Sequence, residues 1–101
     1  MPYIKEEDRT NLDDCINEMI RCIGDNKSLD DNDFLLTAGK INYSFSRIVA
    51  GIMGSTSYAK IAIITGVLEN IKQEFYRRIA SPYEDLKIVQ NGDIKEYKRL
   101  S

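Results

Sequence analysis

Arginine, tyrosine and asparagine recur close together in this chain. Between them they supply what recognition of a small anion with a flat ring requires. Arginine offers five donors in a planar fork that matches phosphate and stacks on aromatic faces. Tyrosine adds a flat face and a hydroxyl, and asparagine a donor and an acceptor for a base edge. Arg47 follows Tyr43 by one helical turn, so the two share a face, with Asn42 beside them. Lys72, Tyr76 and Arg77 fall close together on a later helix, the third of the chain, Arg78 follows, and Tyr83 and Asn91 lie just beyond. Arg77, Arg78 and Arg47 would pair phosphates, with Lys72 adding charge. Tyr43, Tyr76 or Tyr83 would stack a base, and Asn42 or Asn91 would read an edge. The same residue types also serve stability alone, since positive charge suits the negative end of a helix.

Catalytic arrangements are poorly represented. The chain has no histidine, no Gly-rich phosphate loop and no Ser-Lys motif. The acid pairs Glu6/Glu7, Asp13/Asp14 and Asp30/Asp31 are adjacent in sequence, so on a helix their side chains point different ways. Glu84-Asp85 stands apart, because it follows Tyr83 just after the two arginines. Its plain role is a salt bridge to Arg77 or Arg78. Cys15 and Cys22 sit seven residues apart, roughly 10.5 Å of helical rise, too far for a disulfide within one helix. They read as reduced thiols. Neither an enzyme nor a metal or cofactor site is expected.

The elements that must position these groups are helices. Leu12, Ile16, Met19, Ile20 and Ile23 define a first helix over about 6–23, with Gly24 as its cap. A polar loop follows, in which Asp31 or Asn32 can cap the next helix. Phe34, Ala38, Ile41, Phe45, Ile48, Val49 and Ile52 define a second helix over about 33–53. Gly39 inside it would allow close helix contact, and Gly51 and Gly54 mark the next turn. Ile61, Ile64, Leu68, Ile71, Phe75 and Ile79 form a near-heptad seam on a third helix over about 57–80. That helix would be roughly 36 Å long, more than a compact domain of this size needs, and Ile63 and Val67 lie off its seam. It therefore buries more than one face, which points to a homo-oligomer. Pro82 is expected to stop it. The tail, 82–101, then reads as an extended segment or a small hairpin around Asn91-Gly92.

At 101 residues with 43% apolar content, the chain reads as one all-α domain, a three-helix bundle with a long third helix. Its charge is uneven: residues 1–33 carry four basic and ten acidic side chains, residues 34–81 six basic and two acidic. The acidic first helix can complement the basic later ones, or the basic middle can face an anionic ligand. A net charge of −2 argues against a general binder of long nucleic acid. No apolar run is long enough for a membrane span, and the charged opening gives no secretory signal. The expected location is the cytoplasm.

Several segments carry a family likeness: Met1-Pro2-Tyr3-Ile4 with Asp8-Arg9, Ile41-Asn42-Tyr43 with Arg47, Tyr76-Arg77-Arg78 through Pro82-Tyr83-Glu84-Asp85, and Asn91-Gly92-Asp93. Together they resemble a family of short, largely uncharacterised proteins of bacteriophages and their bacterial hosts. The resemblance implies a phage or prophage origin and a role in the host cytoplasm, and it supplies no catalytic residue. The ending departs from the family pattern, since Ile94-Lys95-Glu96-Tyr97 replaces a valine-tyrosine ending after Asn-Gly-Asp. In general design the chain is also similar to phage sponges, small proteins that sequester nucleotide signals of antiviral defence. The leading expectation is thus a homo-oligomeric sponge for a small anionic ligand of the cyclic-nucleotide or ADP-ribose type, bound where helix ends and tails of two protomers meet. The alternative is a structural or adaptor protein, in a virion or bound to a host protein, whose polar ends lock an interface.

Overall fold

The computed structural model describes residues 3–24 and 29–101. The expected all-α class is present, and no strand occurs among the described residues. A 3-10 turn at Glu6–Asp8 leads into α1 (Thr10–Ile23), followed by α2 (Asp31–Met53), α3 (Tyr58–Phe75), a π-wound segment (Tyr76–Ala80), α4 (Ser81–Asn91) and α5 (Lys95–Leu100). The chain divides into two units at Ile61/Ala62.

In the first unit, Arg9 ties down the N-terminal segment by donating from Nε to the Ile4 carbonyl at 3.1 Å. The first helix is shorter than its apolar period suggested, because Glu6–Asp8 wind as a 3-10 turn. It ends where Gly24 N–H bonds the Ile20 carbonyl at 3.0 Å. Asp30, not Asp31 or Asn32, caps α2. Its Oδ1 accepts from Asp33 N–H at 2.8 Å, and Asp33 Oδ2 accepts from Asp30 N–H at 3.4 Å. Only a pair three residues apart can satisfy two orphan amides reciprocally, and adjacent acids cannot. At the other end Gly54 adopts φ 70°, while Gly51 stays helical. Ser57 Oγ accepts from Lys60 N–H at 3.1 Å and starts α3. The Lys60 ammonium holds the intervening turn, donating to the Met53 carbonyl at 3.0 Å and to Ser55 Oγ at 2.9 Å. The same Met53 carbonyl, which has no partner inside α2, also accepts from Ser55 N–H at 2.8 Å.

In the second unit the helix does not stop at Pro82. Proline cannot bond the carbonyl four residues back, and its ring crowds that carbonyl. The chain accommodates this by winding Tyr76–Ala80 as π-helix, with Ser81 N–H reaching the Tyr76 carbonyl. Pro82 then falls in the first turn of α4, where a missing N–H costs nothing. The expected extended tail or hairpin is thus replaced by two helices. Asn91-Gly92 ends α4 instead: Gly92 N–H bonds the Ile88 carbonyl at 2.8 Å, at φ 86°. Both a hairpin and a helix end need a residue at positive φ. The Lys/Glu-rich flanks favour helix.

Thr37 is the sole buried residue among the described ones, and no apolar side chain is buried. Its hydroxyl donates to the Asp33 carbonyl at 2.9 Å. The α1 and α2 stripes and the α3 seam are largely exposed within their own units: Leu12 50%, Phe45 52% and Phe75 64%. A Cβ built at Gly39 would meet nothing within 4 Å, so the close contact expected there is not made within the described residues.

Candidate functional site

The nine sequence-predicted residues fall into groups that each lie within one unit. On α2, the Arg47 guanidinium lies 6.0 Å from the centroid of the Tyr43 ring, the i,i+4 pairing their spacing implies. Beside them Ser46 Oγ donates to Asn42 Oδ1 at 3.4 Å. On a helix Tyr43 lies nearly opposite the stripe of Phe34, Ile41 and Phe45. This polar cluster and the apolar stripe therefore use different faces of α2.

In the second unit, Arg77 and Arg78 converge on one carboxylate. Glu74 Oε1 accepts from Arg77 Nη2 at 2.7 Å and Nε at 3.1 Å. Its Oε2 accepts from Arg78 Nε at 3.0 Å. Two cations on one anion leave the trio a single net positive charge, so a phosphate would compete with Glu74 for both guanidinium groups. Sequence reading assigned the arginines to Glu84. Helical spacing of three and four from Glu74 was the available signal. Lys72 sits 4.0 Å from Glu69, whose Oε1 also accepts from Gln73 at 2.9 Å.

Glu84 takes a different partner. The Tyr76 hydroxyl donates to its Oε2 at 3.0 Å, spanning the π-wound turn. That bond, then the carboxylate's charge, hold the Tyr76 phenol above its ordinary range. Tyr76 is therefore engaged by its hydroxyl in a lock between the π segment and α4.

Tyr83 and Asn91 do come together, lining a groove of about 460 Å³ at the α4–α5 elbow. Lys87, Asp93 and Tyr97, none of them in the predicted set, line it as well. The Lys87 ammonium lies 5.5 Å from the Tyr83 ring centroid, and Asp93 Oδ1 accepts from Ile94 N–H at 2.7 Å. Glu84 and Asp93 outnumber Lys87 in this lining, so the groove suits a flat or neutral group better than a bare phosphate.

A larger groove of about 650 Å³ lies between α1 and α2, lined by Ile16, Ile20, Phe34, Ile41 and Phe45 among others. Its lining is almost wholly apolar, which suits side chains and not a nucleotide. No group of three metal-capable side chains lies together among the described residues, and no described helix is long and apolar enough to cross a membrane.

No curated protein and no solved structure matches the chain. A family match spans residues 1–94, so it takes in all nine candidate residues and leaves α5 outside. The chain belongs to the family described as Domain of unknown function (DUF6899).

Proposed function

We propose that this protein is a homo-oligomeric helical component of structural or adaptor type, whose polar helix ends lock an assembly. One observation carries the reading: no apolar side chain is buried among the described residues, although apolar stripes run along α1, α2 and α3. Helices shorter than about 12–15 residues are marginal in water, and α1 has 14. Its helicity must come from packing. Covering a leucine, isoleucine or phenylalanine contributes about 1.5–3 kcal/mol when burial is complete. In this reading the bundle expected from the sequence is completed between copies. The Glu74–Arg77–Arg78 and Tyr76–Glu84 contacts stiffen the passage from α3 into α4. A phage setting and work in the host cytoplasm, as the sequence resemblance implies, fit such a protein. Light scattering on the purified chain tests it. A mass of two or more copies at micromolar concentration is expected. A monomer that melts cooperatively would overturn it.

A second reading, sequestration of a small anionic ligand of cyclic-nucleotide or ADP-ribose type, is favoured by the Tyr43–Arg47 pair, which sets a flat face beside a cation on an exposed surface. A thermal-shift panel of such compounds tests it. Ligand at 100 times Kd stabilises by about 2.7 kcal/mol, which is several degrees for a small domain. A saturable shift that Arg47→Ala or Arg77→Ala removes, with the oligomer intact, is expected. A flat response across the panel would set this reading aside. Neither reading involves catalysis.

A further inference from the structure

We propose that the groove at the α4–α5 elbow binds a guanine base. The site is independent of the homo-oligomer reading, because every residue that lines it lies in the second unit of one chain. At about 460 Å³ the groove falls within the range of small-molecule sites. Its apolar contacts suit a flat ring. Tyr83 on α4 and Tyr97 on α5 each bring an aromatic side chain, and they are 59% and 66% exposed. Ile88 and Ile94 add aliphatic surface. Aromatic faces stack any base, so the choice among bases falls to the polar groups.

Those groups are the Lys87 ammonium, the Asn91 amide and the carboxylates of Glu84 and Asp93. Glu84 already accepts the Tyr76 hydroxyl through Oε2. Asp93 uses Oδ1 for Ile94 N–H at 2.7 Å. A carboxylate has about four acceptor positions, so Asp93 retains capacity for two further donors. Among the four common bases, guanine alone presents two adjacent donors, N1–H and the 2-amino group, with the O6 acceptor beside them. One carboxylate takes the two donors as a pair, and Lys87 or Asn91 can donate to O6. Adenine and cytosine would set a ring-nitrogen acceptor against the carboxylate. Uracil offers a single donor between two carbonyls. Each mismatch leaves a polar group unpaired, which is costly in a site that desolvates it. Charge also selects a neutral ring. Lys87 lies 5.5 Å from the Tyr83 ring centroid and disfavours a second cation there, while Glu84 and Asp93 disfavour a phosphate.

The test is an NMR titration of the full chain with guanosine, inosine, adenosine and guanosine 5′-monophosphate. Guanosine is expected to give saturable shifts of the amides from Asn91 to Tyr97. Inosine lacks the 2-amino group and is expected to bind about tenfold more weakly, with adenosine weaker still. The monophosphate is expected to bind no tighter than guanosine. Asp93→Asn keeps an oxygen for Ile94 N–H and replaces the second acceptor with a donor. It is expected to erase the preference for guanosine over inosine, which a purely structural role for Asp93 would leave unchanged. Tyr97→Leu is expected to weaken guanosine binding about fivefold or more, with helicity unchanged. No saturable shift with guanosine, equal binding of guanosine and inosine, or a preference that survives Asp93→Asn would overturn the proposal. Tighter binding of the monophosphate would also overturn it and move the site to the arginines. None of these outcomes alters the mass measurement that tests the homo-oligomer reading.

Discussion

At the scale of single residues, hydrogen-bond partners separate locks from candidate ligand contacts. Tyr76 is a lock, and its titration gives a direct check. The neutral phenol is the form that donates to Glu84, and its pKa in the folded chain is raised. The contact's contribution is therefore complete below the unfolded tyrosine value of about 10 and is lost as pH rises through the higher folded value. In an ultraviolet titration, one phenol of the wild type should ionise later than its counterpart in Glu84→Gln; superimposable curves would show that the contact does not form. Glu74 allows a second check. Replacing it with glutamine removes the charge that holds both arginines. Exposed ion pairs contribute about 0.2–1 kcal/mol, so Glu74→Gln should lower the melting point by a few degrees at most. If the arginines also serve anions, the same change should tighten inorganic phosphate binding, and unchanged binding would confine them to the helix. The Glu74 pairing was legible in the sequence, because three- and four-residue spacings on a helix always juxtapose side chains. The Tyr76–Glu84 pairing was not, since it needs the helix to continue past Pro82.

At the scale of elements, the period of the apolar residues located α1, α2 and α3, while ends and breaks depended on individual backbone groups. Residues 82–101 illustrate the limit. Asn-Gly signals positive φ, and positive φ serves a hairpin and a helix end alike. The choice between them came from the helix-compatible residues around it and from a proline placed where a first turn accepts it. Gly92 and Gly39 should then respond oppositely to alanine. Gly92 sits at φ 86°, where a side chain is strained whatever the space around it, so Gly92→Ala should cost about 1–3 kcal/mol. Gly39 is mid-helix with open space at its Cβ position. Gly39→Ala should therefore add up to about 1 kcal/mol of helix stability. Thermal melts of the two variants at one protein concentration make the comparison. Stabilisation by Gly92→Ala would contradict the helix end described here. Destabilisation by Gly39→Ala would instead place a neighbouring helix of another copy against that glycine.

At the scale of the whole molecule, the candidate ligand residues and the apolar surface are separable. Tyr43 and Arg47 occupy the face of α2 away from the stripe that includes Phe34, Ile41 and Phe45. Assembly can therefore cover the stripe and leave the polar pair accessible. A third helix whose apolar residues exceed one face was legible in the sequence, and its seam is exposed among the described residues. Which of the exposed surfaces a neighbour would cover was not legible, because apolar stripes say which surfaces are sticky and not which one is covered. Coupling folding to assembly has a measurable consequence. If the stripes are covered only between copies, stability includes a mass-action contribution, and the melting point depends on protein concentration. A hundredfold increase in concentration shifts an association equilibrium by about 2.7 kcal/mol, shared between the chains of a dimer. For a chain of this length that corresponds to several degrees. Differential scanning calorimetry across that range should show the rise in the parent chain and lose it in Ile41→Asp, which should also lose helicity on dilution. A melting point independent of concentration, with full helicity retained in dilute solution, would mean that each chain completes its own core and that the exposed stripes serve a different partner.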